Sequence, residues 1–280
     1  MKLSRLLTSL LLGLSSFLVT VSCKKKVSVV QSNEETKPAA EKVTPNPAAA
    51  ASEPQEAPYI NTLQMEFVPV KATPRLLWSR WETRVKDYAA FCLDGQIDHE
   101  GPSFEQSDDH PVVHVTFEDA NAFCTWLSKR EGRAYRLPTD DEWSCAVGIC
   151  GQEDVSASPE AKSEGIKAVY PWGTAWPPPQ GSGNFDSYSP DKIQEDLHNE
   201  TSPVGKFSPS ADGLYDLSGN VWEWCDTHYV PNGADRVLRG GSWLNGSPSD
   251  LLSSYRGNYH PMSRYGNIGF RVVLSVGGGG

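Results

Sequence analysis

The sequence from Arg236 to Leu274, RVLRGGSWLNGSPSDLLSSYRGNYHPMSRYGNIGFRVVL, places a polar segment between two apolar ones. Val237 and Leu238, followed by a Gly-Gly pair, predict a strand that enters a tight turn, and residues 269–274 predict a second strand. Between them, 14 of the 24 residues from Leu244 to Asn267 are Ser, Gly, Asn or Tyr, and none is Lys or Glu. This composition fits a long surface loop or a binding surface, since binding loops combine rigid aromatic residues with small polar ones.

The first 22 residues predict a cleaved export signal, with Lys2 and Arg5 ahead of an apolar run and Ser22 at its end. Ser and Thr interrupt that run, which disfavours a membrane-spanning helix. Cys23 follows at once and resembles the lipid-modified first residue of bacterial lipoproteins, although Thr20 stands where such signals prefer an aliphatic residue. We therefore expect lipidation at Cys23 and a location at the outer membrane or cell surface; an ordinary secreted protein is the alternative.

Residues 23–58 are rich in Ala, Pro, Glu, Ser and Thr and predict a flexible tether, because they have too little apolar surface to offset the entropy of ordering. Residues 59–276 then suit a single folded domain, and the four glycines at 277–280 predict a disordered tail. The net charge of -10, with no basic stripe, disfavours nucleic acid as a partner and leaves the lipid as the contact with a membrane.

Besides Cys23 the chain has five cysteines, an odd number that leaves at least one free thiol outside the cytoplasm. Cys145 and Cys150 are close enough in sequence to pair, whereas Cys124 falls on the apolar face of a predicted helix. The spacing matches no zinc motif.

The body of the domain alternates helical and strand patterns. Helical spacing predicts a helix within 81–93, and Thr116 with Asp119 predicts a capped helix that ends at Gly132 with Ala120, Phe123, Cys124 and Leu127 on its apolar face. Thr139 and Glu142 predict another helix start. Residues 61–70 and 111–115 predict strands. Two main helices, short antiparallel strands and long loops indicate an α+β fold.

Several motifs in this order closely resemble the formylglycine-generating-enzyme, or sulfatase-modifying-factor, superfamily. They cover most of residues 60–274 and read HPVVHVTFEDANAFCTWLSKREGRAYRLPTDDEW, YPWG, ADGLYDLSGNVWEW, RGGSW and GFRVV. The resemblance implies a C-type-lectin-like fold. It does not fix the function, because the family contains both enzymes and non-catalytic binding modules.

The catalytic branches of the family need residues that this chain lacks. Members resembling the formylglycine-generating enzymes hold copper with two cysteines shortly after GGS[WY], where this chain offers Asn245, Asp250 and, further on, His260. Members resembling sulfoxide synthases hold iron through HxxxHxE; His110 and His114 have that spacing, but Thr116 replaces the acid. A metal-dependent oxidoreductase therefore remains the alternative to a binding protein without a catalytic cofactor.

The C-terminal region resembles proteins diversified by a retroelement, including treponemal variable lipoproteins, in which scattered codons change within a fixed framework. The resemblance implies ligand binding through region 236–274, with Trp243, Leu251, Leu252, Ile268 and Phe270 buried. The expected partner is a macromolecule, a protein rather than a sugar, bound by a monomer. The predicted exposed, substitutable positions are Leu244, Gly246, Asp250, Tyr255, Gly257, Tyr259, Met262, Ser263, Tyr265 and Gly266.

The resemblance also implies structural calcium. In family members the residues matching Asp216, Gly219, Val221 and Glu223 surround that ion, two by side chain and two by backbone carbonyl, and oxygen ligands suit it. The alternative for Glu223 is a carboxylate hydrogen-bonded within a Trp-rich turn. A second family site would fall on Asn184, Phe185, Asp196 and His198.

Overall fold

A computed structural model describes residues 58–163, 165–186 and 200–276. The predicted export signal, Cys23, the tether as far as residue 57 and the tail at 277–280 lie outside these ranges. Within the ranges, every helix is too short or too polar to cross a membrane.

Two long helices are present, as predicted: α1 (Val85–Gly95) and α2 (Phe117–Glu131). At the start of α2, Thr116 Oγ1 accepts the Asp119 N–H at 3.0 Å and the Asp119 carboxylate accepts the Thr116 N–H at 2.9 Å. These two bonds satisfy donors that have no partner within the helix. The helix ends at Gly132 with φ of 65°, a left-handed conformation that glycine adopts easily. The predicted apolar stripe of α2 is buried.

Three short helices follow: α3 (Asp140–Ala146), a 3-10 helix (Cys150–Gln152) and α4 (Pro159–Lys162). The start of α3 is the predicted one, because Thr139 Oγ1 accepts the Glu142 N–H at 3.2 Å. A disulfide between Cys145 and Cys150 ties the end of α3 to the 3-10 helix. Among the described cysteines the free ones are Cys92, Cys124 and Cys225.

A five-stranded sheet brings both ends of the domain together. Its strands are β1 (Tyr59–Ile60), β2 (Glu66–Pro69), β3 (Leu76–Ser79), β4 (Ala134–Arg136) and β9 (Val273–Ser275). Their order is β1-β2-β3-β9-β4, with antiparallel neighbours. Leu77 pairs with Leu274, so the C-terminal strand lies between strands from the first half of the domain.

A second sheet of four strands carries the C-terminal region, and its strands are β5 (Trp222–His228), β6 (Arg236–Arg239), β7 (Gly257–Tyr259) and β8 (Ile268–Gly269). Their order is β7-β6-β5-β8. The pairs are antiparallel, as predicted, except that β5 and β8 are parallel. The predicted strand at 269–274 is divided, since β8 belongs to this sheet and β9 to the other.

Two other predicted strands differ from the structure. The strand at 61–70 is reduced to β2, because the Asn61 side-chain oxygen accepts the N–H groups of Leu63 and Met65 and forms a turn. The strand at 111–115 is wrong: Pro111 makes one isolated bridge with Arg84, and His114 has φ of 60°.

The main core lies between α2 and the segment that joins β8 to β9. Phe123 of α2 contacts Phe270 with ring centroids 5.5 Å apart, and both rings are buried. Phe270 thus packs the end of the C-terminal region against α2. The mixed α+β architecture agrees with the sequence-based prediction.

Candidate ligand-binding face

The polar region begins at a turn that the framework holds. Gly240 and Gly241 have φ of 94° and 74°, a conformation costly for residues with a Cβ. After the turn, the Trp243 N–H donates to the Asn220 carbonyl at 3.0 Å and the Trp243 ring N–H donates to the Gly266 carbonyl at 3.2 Å. One tryptophan therefore links the first residues of the region to its last.

Arg256 lies in the middle of the polar region, and 2% of the surface of this residue is exposed. Its buried side chain fixes the position of the loop. Its guanidinium makes two bonds with the Glu153 carboxylate, at 2.5 and 2.8 Å, and reaches the Asp140 carboxylate at 3.1–3.3 Å. It also donates to Ser144 Oγ at 2.9 Å. Bidentate pairing of this kind fixes orientation as well as position. The loop backbone is consequently held at Arg256.

A second buried arginine, Arg239 of β6, joins the same cluster through Asp140 and the Ser253 carbonyl. Burial raises the pKa of Asp140, but the positive charges of Arg239 and Arg256 outweigh burial and hold that pKa below its usual value. The Asp140 carboxylate is therefore ionised at neutral pH and binds both arginines.

The polar region also carries large apolar and aromatic side chains that are exposed to solvent. Leu244, Tyr259, Met262 and Tyr265 are 54%, 42%, 62% and 46% exposed, and they account for four of the eight exposed large hydrophobic residues in the described ranges. The rings of Tyr259 and Tyr265 lie 4.9 Å apart. We call these four side chains the exposed face. They agree with the predicted exposure.

A depression of about 610 Å³ opens beside the exposed face. Four predicted positions line it: Leu244, Tyr255, Gly257 and Tyr259. Side chains outside the region complete its wall, among them Glu160, Ser163 and Tyr229. Sequence reasoning missed these three residues, because no local pattern connects them to the region. It also missed Asn258 and Asn267, whose signal was the abundance of asparagine in the region.

Six of the ten predicted positions are less exposed than expected, one of them buried and five half-buried. Gly246 is buried, which contradicts its assignment as an exposed position. Tyr255 is half-buried, because its ring packs at 5.9 Å from that of Trp222 and contacts two core clusters. Asp250 is half-buried and accepts a hydrogen bond from the Asn245 side chain at 3.3 Å. The Tyr255 and Asp250 side chains therefore stabilise the loop rather than extend from it.

The remaining positions are half-buried. Gly257 has room for a side chain, since an added Cβ would meet Leu238 and Trp222 at an ordinary 3.5 Å. At Gly266 an added Cβ would approach the Phe104 ring at 3.0 Å, so that ring would have to move. Ser263 is half-buried, as is Trp243, which was predicted to be fully buried. The other framework residues are buried as predicted: Leu251, Leu252, Ile268 and Phe270.

The predicted calcium ligands are close in sequence, but Glu223 does not fit that role. Arg271 donates to both of its oxygens, at 2.5 and 2.7 Å, and the Trp143 ring N–H adds a bond of 3.0 Å. All of these groups are buried. A calcium ion at Glu223 would have to compete with a guanidinium, and the alternative of a carboxylate hydrogen-bonded in a Trp-rich turn describes this residue.

Asp216 keeps one carboxylate oxygen without a hydrogen-bond partner, and its other oxygen accepts the Gly205 N–H at 2.7 Å. Burial raises the pKa of Asp216 to about 6. Burial and the charge of Asp216 raise the pKa of nearby Glu82. Within the described ranges, no three Asp, Glu, His or Cys residues are arranged to hold a metal ion.

Of the second predicted calcium site, Asn184 and Phe185 are described and buried, whereas Asp196 and His198 lie outside the described residues. The Asn184 side-chain amide donates to the Glu200 carbonyl at 2.7 Å, and its oxygen has no hydrogen-bond partner.

The residues considered for redox chemistry serve other contacts. Asn245 and Asp250 hydrogen-bond to each other, as described above. His110 Nδ1 lies 2.9 Å from Thr201 Oγ1. The backbone N–H of His114, in its left-handed conformation, donates to the Tyr265 carbonyl. His110 and His114 therefore do not lie on a common strand, because the strand predicted at 111–115 does not form.

Comparison with known proteins supports this architecture. The family described as "Sulfatase-modifying factor enzyme 1-like domain" matches residues 33–276. A mouse protein named inactive C-alpha-formylglycine-generating enzyme 2 is 38% identical over 60% of this chain and 50% of its own length. The formylglycine-generating enzyme of Streptomyces coelicolor is 33% identical over 59% of this chain and 52% of its own length. The chain thus spans about half the length of these relatives.

Among solved structures, Treponema denticola variable protein 1 superposes with a TM-score of 0.52 at 22% identity, over 71% of this chain and 84% of that one. At this identity the similarity concerns the fold. The C-type-lectin-like architecture expected from the sequence motifs is consistent with it.

Proposed function

Because this chain belongs to the sulfatase-modifying factor enzyme 1-like domain family, in which enzymes and inactive relatives share one scaffold, we propose that it is a non-catalytic ligand-binding protein. One observation carries the proposal: four large apolar side chains are exposed on a loop whose backbone a buried arginine cluster fixes. Exposed apolar groups on a rigid support are typical of interaction sites.

The proposed ligand is a macromolecule, and a protein in preference to a sugar. Tyr259 and Tyr265 supply broad surfaces with few rotatable bonds, and Met262 adds an adaptable apolar group. Such side chains favour contact with apolar patches of a protein, whereas the lectin sugar site depends on exposed calcium. The domain would bind as a monomer, and no catalytic cofactor enters the proposal.

Diversification would act on this face. Substitutions at Leu244, Tyr259, Met262 and Tyr265 would change contact chemistry while Arg256, Leu251 and Ile268 keep the loop in place. Sequencing the codons for residues 244–267 in related genes and isolates tests this. We expect substitutions concentrated at exposed positions and traceable to adenines in a template copy. An invariant segment without a template would contradict diversification.

A metal-dependent oxidoreductase is the competing hypothesis, because formylglycine-generating enzymes are among the relatives. Asn245 is held by Ser242 at 2.8 Å and by Asp250, so it supports the loop where that hypothesis needs soft metal ligands. Purified protein supplied with copper or iron should neither retain the metal nor consume oxygen. Stoichiometric binding of copper would favour the enzyme instead.

The proposed location is the outer membrane or the cell surface, with the lipid on Cys23 as the membrane contact. Metabolic labelling with an alkyne fatty acid should modify the chain, and Cys23→Ala should abolish the label and release the protein into the medium. Labelling that persists in Cys23→Ala would contradict anchoring at this cysteine.

A further inference from the structure

A second concave site lies on the framework, between α1 and the segment that follows it. Its volume is about 670 Å³. One wall consists of Ala89, Cys92 and Leu93 from α1, and the other of Ile97, Pro102 and Phe104. This volume falls within the range of cavities that bind small molecules. None of the four side chains of the exposed face lines this cavity.

The lining carries no formal charge. Within the described part of the chain, no Asp, Glu, Lys or Arg lines this cavity. The His99 ring packs edge-on against Tyr88, with centroids 5.0 Å apart. Burial, together with the charge of Arg264, lowers the pKa of His99, so its imidazole is neutral at pH 7. An ion in this cavity would lose part of its hydration without meeting an opposite charge in the lining.

The polar groups of the lining need few hydrogen bonds from a ligand. The Gln106 amide donates to the Pro111 carbonyl at 2.8 Å and to Thr201 Oγ1 at 3.0 Å, so both of its N–H groups are satisfied. At the rim, Leu93 is 84% exposed and Ile97 is 42% exposed. Water in contact with these side chains would be released when an apolar molecule enters, which favours binding.

The cavity adjoins the binding region without belonging to it. Phe104 forms part of its wall, and the same ring packs at a steep angle against Trp243 with a centroid distance of 5.9 Å. Trp243 and Phe104 therefore separate two surfaces of different chemistry. The exposed face presents its side chains to solvent, whereas the cavity is concave and lined by residues of α1 and of the segment that follows it.

We propose that this cavity binds a small, uncharged, predominantly apolar molecule. Its volume and concave walls favour a compact ligand over a protein surface, and its neutral lining excludes ionic ligands. The ligand would lie along α1 with its apolar skeleton against Ala89, Leu93 and Phe104. This proposal does not depend on the function assigned to the exposed face.

The test uses the neutral dye N-phenyl-1-naphthylamine, whose fluorescence rises in apolar surroundings, and the full chain carrying Cys23→Ser so that no acyl chain is attached. We expect saturable binding with a micromolar Kd. Ala89→Trp should raise that Kd at least tenfold, because exposed Ala89 lines the cavity and the indole would occupy it. Ala234→Trp is the matched control, since exposed Ala234 lies in the β5–β6 connection. It should leave the Kd unchanged.

Cys92 gives an independent readout that needs no second variant. It is half-buried in the cavity wall, whereas the other described free cysteines, Cys124 and Cys225, are buried. Saturating dye should slow alkylation of Cys92 by N-ethylmaleimide at least threefold, as measured by peptide mapping. Absence of saturable binding would overturn the proposal. Saturable binding that Ala89→Trp does not weaken, and that does not slow the alkylation of Cys92, would also overturn it.

Discussion

Arg256 is buried, although it belongs to the segment that we propose to be changeable. Its removal would leave the Asp140 carboxylate with Arg239 as its remaining arginine partner, and would leave the Glu153 side chain, 5% exposed, without the guanidinium that it binds. Breaking a buried ion pair by deleting one partner costs about 3–5 kcal/mol. We therefore predict that Arg256→Ala lowers the free energy of unfolding by about that amount, as measured by urea denaturation.

Arg264 provides the control within the same segment. It is exposed and pairs with Asp119 at 2.7 Å. Exposed ion pairs contribute at most about 1 kcal/mol, so Arg264→Ala should change stability little. Equal losses in the two variants would contradict the assignment of Arg256 as the residue that fixes the loop.

His99 should make stability depend on pH. Its folded-state pKa lies below the unfolded value of about 6.5, so the unfolded chain binds a proton first as the pH falls. The contribution of neutral His99 is thus complete above about pH 6.5 and is lost as the pH falls below it. We predict that the stability difference between the unmodified protein and His99→Gln shrinks from pH 7.5 to 5.5. Urea denaturation of both at each pH measures this, and a constant difference would contradict it.

At the residue scale, sequence reasoning succeeded where the signal was exposure or local capping. Tyr259 and Met262 are exposed, as the resemblance to diversified proteins implies. The role of Arg256 was missed, since its partner Asp140 is 116 residues away in sequence. Burial of an arginine depends on carboxylates that only the folded chain brings near. A charged residue in a polar loop gives no local sign of such pairing.

Among the elements, the end of α3 is fixed covalently. The Cys145–Cys150 disulfide closes a short loop immediately before Glu153, the partner of Arg256. Chain-entropy arguments assign about 2 kcal/mol to a loop of this length. We predict that Cys145→Ser with Cys150→Ser lowers the free energy of unfolding by about 2 kcal/mol. Dithiothreitol should destabilise the unmodified protein by a similar amount and leave the double variant unaffected; an effect on both would contradict the prediction.

The loop before β5 gives a prediction about calcium. Because Arg271 occupies both oxygens of Glu223, we expect no calcium-dependent stabilisation at Asp216, Gly219, Val221 and Glu223. Thermal unfolding in about 2 mM calcium should therefore give the same Tm as unfolding in EDTA. A Tm raised by calcium in the unmodified protein, and not in Asp216→Ala, would show that the ion displaces this arrangement.

The elements differ in how far the sequence could predict them, for physical reasons. The start of α2 is encoded within four residues by Thr116 and Asp119, so a local motif suffices. Strand pairing is set at long range. The predicted strand at 269–274 contains Phe270, which packs on α2, and the chain passes from one sheet to the other there. Residue periodicity alone cannot show such a division.

On the scale of the whole molecule, the framework and the exposed face use different residues. The core is continuous from the N-terminal strands through α2 to the C-terminal strand, whereas the exposed face contributes little buried surface. A domain arranged in this way can change its binding chemistry without a change of fold. The contributions of the framework and of the exposed face to stability can be compared by substituting residues in each.

We predict that replacing Leu244, Tyr259, Met262 and Tyr265 by Ser in one variant changes the free energy of unfolding by less than about 2 kcal/mol, since exposed substitutions each contribute within about 0.5 kcal/mol. Ile268→Ala or Phe270→Ala alone should cost about 2–5 kcal/mol, because both side chains are fully buried. Urea denaturation of the three variants provides the comparison. If the fourfold variant lost as much stability as Phe270→Ala, the exposed face would be part of the folding core and could not vary independently of it.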